Sequence, residues 1–322
     1  MGAFLDVSQA FDRVWHKGLL CKLKRILPST LYLIIRSYLS NRFFRVRQGS
    51  DYSNYCPVEA GVPQGSVLGP ILYILYTSDI PTHPDTLLAT FADDKAIISS
   101  SPDPTVATTT LQEHLNLIAD WCRHWRTKIN ENKSIHVTFT LRTKIPSQIS
   151  FNQLPIPQSD SVRYLGFYLD SRLTWKEHIR QKRQDLNRRY GQLYRLLGKR
   201  SNLSVNNKLT LYKTVLKPIW TYGIELWGTA KPSNIQRIQS FQSKVLRTIV
   251  NAPFYMSNST LHNDLQIDFV QALIPSYFQK FHSKLSEHPN PLAHALSSHS
   301  HPYNPPRRLK RRWPRDLLMN NI

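Results

Sequence analysis

The chain has 322 residues, 41% of them hydrophobic, which is enough for a sizeable core and for two or three domains and excludes global disorder. Lys and Arg outnumber Asp and Glu by 42 to 21, for a net charge of +21, so the expected partner is a polyanion held through released phosphate counterions. Three cysteines, odd in number and far apart, suggest neither a disulfide framework nor a zinc site. No apolar run is long enough to span a bilayer and no signal peptide is evident, so a reducing nuclear and/or cytoplasmic setting without membrane contact is expected.

The chain opens on an apolar stretch, "AFLDV" (3–7), read as a short buried strand ending near Asp6. Residues 9–27 carry Ala10, Val14, Leu19, Leu23 and Ile26 at helical spacing, and Pro28 stops that helix before a second one, "LYLIIRSYLS". "RFFRVRQGSDYSNYCPVEAG" alternates about a Gly-Ser-Asp turn and predicts a β-hairpin. "GVPQGSVLGPILYILYTSDIP" predicts a loop and then an apolar helix from about 66 to 78, with Pro70 in its first turns. Residues 86–99 predict strand, turn, strand. A long amphipathic helix over 105–128 and a strand, "SIHVTFT", follow. Residues 141–160 read as a polar connection and "VRYLGFYLD" as one further strand. From about Thr174 to Ser286 the pattern is helical and rich in Lys, Arg and Gln. The expected class is α+β: an antiparallel sheet with helices on one face over 1–170, a helical region over 171–286, and a basic, Pro- and His-rich tail over 287–322.

Four features of the first part bear on chemistry. Asp6 ends one predicted strand, and Asp93 and Asp94 occupy the turn of a predicted hairpin, "FADD" (91–94). An isolated Asp-Asp is most simply a turn dipeptide. Apolar strands on both sides anchor this one in a sheet, where clustered carboxylates repel one another and need cations such as Mg²⁺. Phe11, at the start of the following helix, is either ordinary core or a ring placed under a nucleotide sugar, where it clashes with a 2′-hydroxyl. Gly61, Gly65 and Gly69 around Gln64 allow close backbone approach to a ligand, with no Walker-type Gly-Lys-Ser/Thr. Lys133, before a predicted strand, is either a solvated lysine or a proton donor to a triphosphate. In the helical part aromatics lie among cations, as in "RRYGQLYRLLGKR" (188–200). That suits nucleic acid, although most of those rings are expected in the core.

Taken in order, these motifs resemble the reverse transcriptases of non-LTR (LINE-like) retrotransposons, of Jockey type, over residues 3–180. "FLDVSQAFDRVWHKGLL" is similar to the family's motif A, with Asp6 as metal ligand and Phe11 at the steric gate. "GVPQGSVLGPILYILYTSDIP" resembles motif B, where Gln64 and Gly65 lie against template and nucleotide, and "FADD" resembles the metal-binding motif C. "IADWCRHWRTKINENKSIHV" resembles motif D with Lys133. "VRYLGFYLDSRLTWKEHI" resembles motif E, whose Arg163, Tyr164, Leu165 and Gly166 would grip the primer. The resemblance implies a right-hand polymerase with a palm and remnant of fingers over 1–170 and an all-helical thumb over 171–286. It also implies two Mg²⁺ ions, with Mn²⁺ as a substitute, on Asp6, Asp93 and Asp94. An RNA template, a DNA primer or target, and deoxynucleoside triphosphates are the implied partners.

Only five residues precede Asp6, so the triphosphate-holding strands that come before motif A in this family are expected to be missing, along with the upstream endonuclease. The expectation is therefore a polymerase core or, as the alternative, a catalytically idle remnant that binds nucleic acid through its basic surface. An exposed sheet edge and poor solubility are expected with it. "RRLKRR" (307–312) reads as a nuclear-entry signal, a phosphate contact or a solvated tail.

Overall fold

A computed structural model describes residues 1–141 and 148–297, and the basic run at 307–312 lies outside the described residues. The chain divides into two compact units, one ending at Phe167 and one starting at Tyr168.

The first unit is built on β1 (Gly2–Leu5), α1 (His16–Ile26) and α2 (Ser29–Leu39). Four two-residue strands come next: β2 (Phe43–Phe44), β3 (Arg47–Gln48), β4 (Asp51–Tyr52) and β5 (Cys56–Pro57). It continues through α3 (Leu68–Thr77), β6 (Thr86–Phe91), β7 (Asp94–Ser99), α4 (Pro104–His124) and β8 (Ile135–Val137). The last strands are β9 (Ser150–Phe151), β10 (Leu154–Pro155), β11 (Ser161–Tyr164) and β12 (Phe167–Asp170), and the unit boundary falls inside β12.

Four strands form one antiparallel sheet in the order β6-β7-β1-β8. β1 is central because it is apolar on both faces: Ala3, Phe4 and Leu5 are all buried. β6 lies at the edge and leaves Leu87 and Phe91 more than half exposed. Helix α4 covers the sheet with Ala107, Leu111, Leu115, Ile118 and Cys122, an i, i+3/i+4 stripe. The α4 start is set by Pro104 in the first turn and by Asp103, whose side chain accepts from the Thr105 N–H at 2.8 Å. Lys22 of α1 is buried with its ammonium 3.6 Å from the Trp125 ring centre and hydrogen-bonded to the Tyr76 carbonyl and Asp79. It pins α1 to α3 through compensating partners.

Three local expectations change. The first helix starts at His16 rather than near residue 9, because Gln9 takes a left-handed backbone (φ 50°) and Val7 is still paired to Ile129. The supposed polar connection folds back as the β9–β10 hairpin, burying Ile149, Phe151 and Ile156. The single strand expected at 162–170 is a hairpin of β11 and β12, turned at Leu165 (φ 46°) and Gly166 (φ 79°).

The second unit is helical, as its sequence pattern predicts: α5 (Lys176–Leu197), α6 (Val205–Leu211), a π-helical turn (Tyr212–Leu216), α7 (Lys217–Thr221) and α8 (Ile224–Trp227), then α9 (Pro232–Val250), α10 (Asn258–Asp264), α11 (Val270–Ser286) and α12 (Pro291–Ala295). Trp220, Trp227, Tyr212 and Phe241 are almost fully buried in its core, whereas Tyr194, Tyr222, Phe254 and Tyr255 are exposed. The three cysteines are free, and no helix of the described residues is long and apolar enough to cross a membrane.

Candidate active site

Asp6 follows directly on β1, and the β1–β7 ladder ends with Leu5 opposite Lys95. One residue further, the same antiparallel register sets Asp6 against Asp94. Asp93 sits in the tight turn between β6 and β7, where Phe91 pairs with Asp94 and Ala92 takes a left-handed backbone, φ 51°. That geometry is uncommon for a residue other than glycine and marks the sharpness of the turn. Three carboxylates thus share one end of the sheet. The Asp94 carboxyl is pushed above the usual carboxylate range, first by burial and then by the negative charge of Asp93 and Asp6; Arg163 and Lys95 oppose the shift. Among the described residues no three acidic, histidine or cysteine side chains close into a metal cage.

The turn rests on a residue that sequence reasoning passed over. Lys95 is 2% exposed, and its ammonium lies 3.4 Å from the Ala92 carbonyl and 5.9 Å from the centre of the Tyr73 ring. Burial lowers its pKa, against the pull of Cys122, Asp93 and Asp94. Conversely, burial pushes the Cys122 thiol up to about 12. A lysine at the head of an otherwise apolar strand, "KAIIS", is the visible signal.

Each other expected site residue has a definite place. Phe11 stacks on Tyr73, with centroids 5.0 Å apart, and borders the core. The Gln64 amide donates to Asp12 Oδ1 at 3.0 Å, and the loop backbone is tied to the same segment through Val62 N–H to Phe11 O (2.9 Å) and Gly61 N–H to Val14 O (2.8 Å). Gly65 has φ 82°, and a β-carbon there would meet nothing within 4 Å; the glycine answers the backbone, not a crowded neighbour. Lys133 is exposed in the turn before β8. Its neighbour Ser134 accepts the Asp6 N–H at 3.1 Å and donates to Asn130 O, while the Asn130 N–H donates to Asp6 O at 2.8 Å. The Lys133 segment therefore holds the Asp6 backbone from both sides. No sequence signal singles out Ser134 or Asp12 for these contacts.

Arg163 is exposed, and its charge reaches Asp94. Tyr164 leans on Phe4, with centroids 5.4 Å apart, and donates to Ala89 O at 3.4 Å, while Leu165 and Gly166 form the hairpin turn. The structure therefore gathers Asp6, Asp93, Asp94 and Arg163 at one sheet end. It ties Gln64 to Asp12, beside Phe11.

Residues 1–169 match the family model for reverse transcriptase (RNA-dependent DNA polymerase). The chain belongs to this family. Over 98% of its length it is 43% identical to the probable RNA-directed DNA polymerase from transposon X-element of Drosophila melanogaster, and 39% identical to the RNA-directed DNA polymerase from mobile element jockey of the same organism. It spans 35% and 36% of those relatives, about a third of each. A telomerase from Candida albicans, solved with a fragment of telomeric RNA, is similar at a TM-score of 0.40 and 13% identity, covering 92% of this chain and 50% of that one. Asp6, Asp93 and Asp94 all lie within the matched region.

Proposed function

We propose that this chain is the polymerase core of a Jockey-like non-LTR retrotransposon, extending the 3′-hydroxyl of a DNA primer along an RNA template with deoxynucleoside triphosphates. The observation that carries this is the β1–β7 register, which sets Asp6 against Asp94 with Asp93 in the adjoining turn. In this reading residues 1–170 form the palm with part of the fingers, residues 171–286 the thumb, and residues 287–322 a basic tail.

The donor set fits a divalent cation. It consists of hard carboxylate oxygens at an exposed sheet end, where burial and, after it, the charge of Asp93 and Asp6 hold the Asp94 carboxyl above the usual carboxylate range. Asp6, Asp93 and Asp94 would hold Mg²⁺, or Mn²⁺ in its place. When bound, such ions activate the primer hydroxyl and neutralise the leaving pyrophosphate. The chain's own residues prepare that site. Ser134 and Asn130 fix the Asp6 backbone, and Lys95 supports the turn from below. Phe11, stacked on Tyr73, would offer a ring edge to the sugar, Gln64 and Gly65 would line the approach of template and nucleotide, and exposed Lys133 would give a proton to the pyrophosphate. Arg163 and Tyr164 are within electrostatic reach of Asp94, and Arg163, Tyr164, Leu165 and Gly166 would grip the primer end. Such an enzyme would work in the nucleus and/or cytoplasm.

The test is primer extension on an RNA template with the purified chain, and with a chain extended to the length of its relatives. Incorporation that falls at least about a hundredfold in Asp93→Asn supports the reading. Incorporation no higher than that of Asp93→Asn in both contexts overturns it.

A second reading, binding without catalysis, is favoured by where the charge lies. Residues 168–297 carry 19 Lys and Arg against 7 Asp and Glu, whereas residues 1–167 carry 17 against 13. RNA affinity that is salt-dependent, independent of Mg²⁺ and unaccompanied by extension would select it.

A further inference from the structure

Helix α9 ends in a loop that is built rather than slack. Asn251 takes a left-handed backbone (φ 52°) and stops the helix, and the Ala252 N–H returns to Arg247 O at 3.0 Å. The Arg247 guanidinium then spans the loop. It donates to Pro253 O at 3.0 Å, to Met256 O, and to Asn258 Oδ1 at 2.9 Å. The Met256 N–H closes a turn onto Pro253 O at 3.2 Å, and Ser257 caps α10 by accepting the Thr260 N–H at 3.0 Å. The loop backbone is held on both sides of two residues, Phe254 and Tyr255.

Those two point outward. Phe254 is 94% exposed and Tyr255 78%, with ring centroids 5.6 Å apart in an edge-to-face pair. A chain that buries Trp220 and Phe241 almost completely gains nothing in folding from displaying two rings at the tip of a braced loop. The local sequence favours an anion: from residue 226 to residue 263, between Glu225 and Asp264, there is no acidic side chain, and Lys244, within two turns of the loop on the helix that leads into it, is exposed. A second copy of this chain would bring the same excess of positive charge and be repelled. A polyanion that also offers flat apolar faces is a single-stranded nucleic acid; a duplex hides its base faces in the stack.

We propose that the Arg247-braced loop at 251–258 is a base-stacking site for single-stranded nucleic acid, with Phe254 and Tyr255 as the platform and Lys244 as a phosphate contact. The site lies wholly within the second unit and stands apart from the carboxylate chemistry, so its test is run in EDTA without nucleotide. Anisotropy is read for a short fluorescein-labelled single-stranded RNA and for the same sequence as a duplex, against the wild-type full chain and Phe254→Ala/Tyr255→Ala.

The double variant is expected to lose about tenfold or more in affinity for the single strand and less than about twofold for the duplex. Its salt slope should be unchanged, because no cation is removed. Phe254→Trp is expected to keep the affinity, and its indole emission to be quenched on binding. Unfolding temperatures should match, since neither ring is buried. Equal affinity in the double variant overturns the proposal, as does an equal loss on both RNAs or an indole that RNA leaves unquenched. Wild-type self-association, or binding to phosphatidylserine vesicles, that is abolished in the double variant while RNA affinity stands also overturns it.

Discussion

Phe11 is stacked on Tyr73 with ring planes 29° apart, and the Tyr73 hydroxyl is buried without a hydrogen-bond partner. Phe11 thus sits at the rim of the core, on a tyrosine that lies within electrostatic reach of Asp93. Phe11→Ala is expected to lower stability by about 1–3 kcal/mol through the lost stack and to raise incorporation of ribonucleotides relative to deoxynucleotides. Tyr73→Phe keeps the stack and removes an unsatisfied buried hydroxyl, so it should raise stability by about 1 kcal/mol and leave sugar selection unchanged. Urea unfolding and single-nucleotide incorporation assays separate the two effects.

The Gln64–Asp12 hydrogen bond joins two exposed side chains, so its stability value is small. Its consequence is positional. Asp12→Ala is expected to leave the unfolding midpoint within about 0.5 kcal/mol of wild type and to raise KM for the deoxynucleotide several-fold, with kcat little changed. A steady-state titration of nucleotide reads this directly, and a fall in kcat at constant KM would refute it.

Lys95 is a buried cation within electrostatic reach of Asp93 and Asp94. Lys95→Met keeps the side-chain length but leaves the acids facing one another with one less positive charge. The metal-free variant is expected to melt lower than wild type. Adding Mg²⁺ should raise its melting temperature by more than it raises that of wild type, since the ion then relieves a larger repulsion. Equal Mg²⁺-induced shifts in the two proteins would show that Lys95 only fills space.

His178 of α5 is fully buried, accepts the Tyr168 N–H at 3.3 Å, and has its pKa lowered to about 4 by burial and, secondly, by Lys182. The unfolded chain takes up this proton near pH 6.5, whereas the folded chain resists it down to about 4. Protons therefore favour unfolding: stability is full above pH 6.5 and declines toward pH 4, by roughly 3 kcal/mol. Asn in place of His178 keeps an acceptor for the Tyr168 N–H without the titration. Unfolding free energies measured between pH 7 and 4 should show that limb flattened in His178→Asn.

Much of the first unit could be read along the chain because its signals are local. The apolar run at β1, the Asp-Asp turn between apolar strands and the stripe of α4 all follow from side-chain period and turn chemistry within one element. The same holds for the helical character of the second unit. Reading failed at 161–170, where an apolar run concealed a hairpin. Its turn depends on Leu165 accepting a left-handed backbone, which its residue type disfavours. It failed again at residue 9, where pairing of Val7 with Ile129 delays the helix.

The sequence by itself determined which residue types are available at the site and in what order: Asp6, then Gln64 and Gly65, then Asp93 and Asp94, then Lys133 and Arg163. Tertiary structure alone decided which of them meet. The register between β1 and β7 opposes Asp6 to Asp94, and the β8 approach clamps Asp6 through Ser134 and Asn130. Folding also puts Lys95 under the turn and leaves Phe254 and Tyr255 in water on a loop that Arg247 braces. These relationships join residues far apart in sequence. A one-residue slip in strand pairing would exchange every face, so nothing in the local pattern of either partner encodes them.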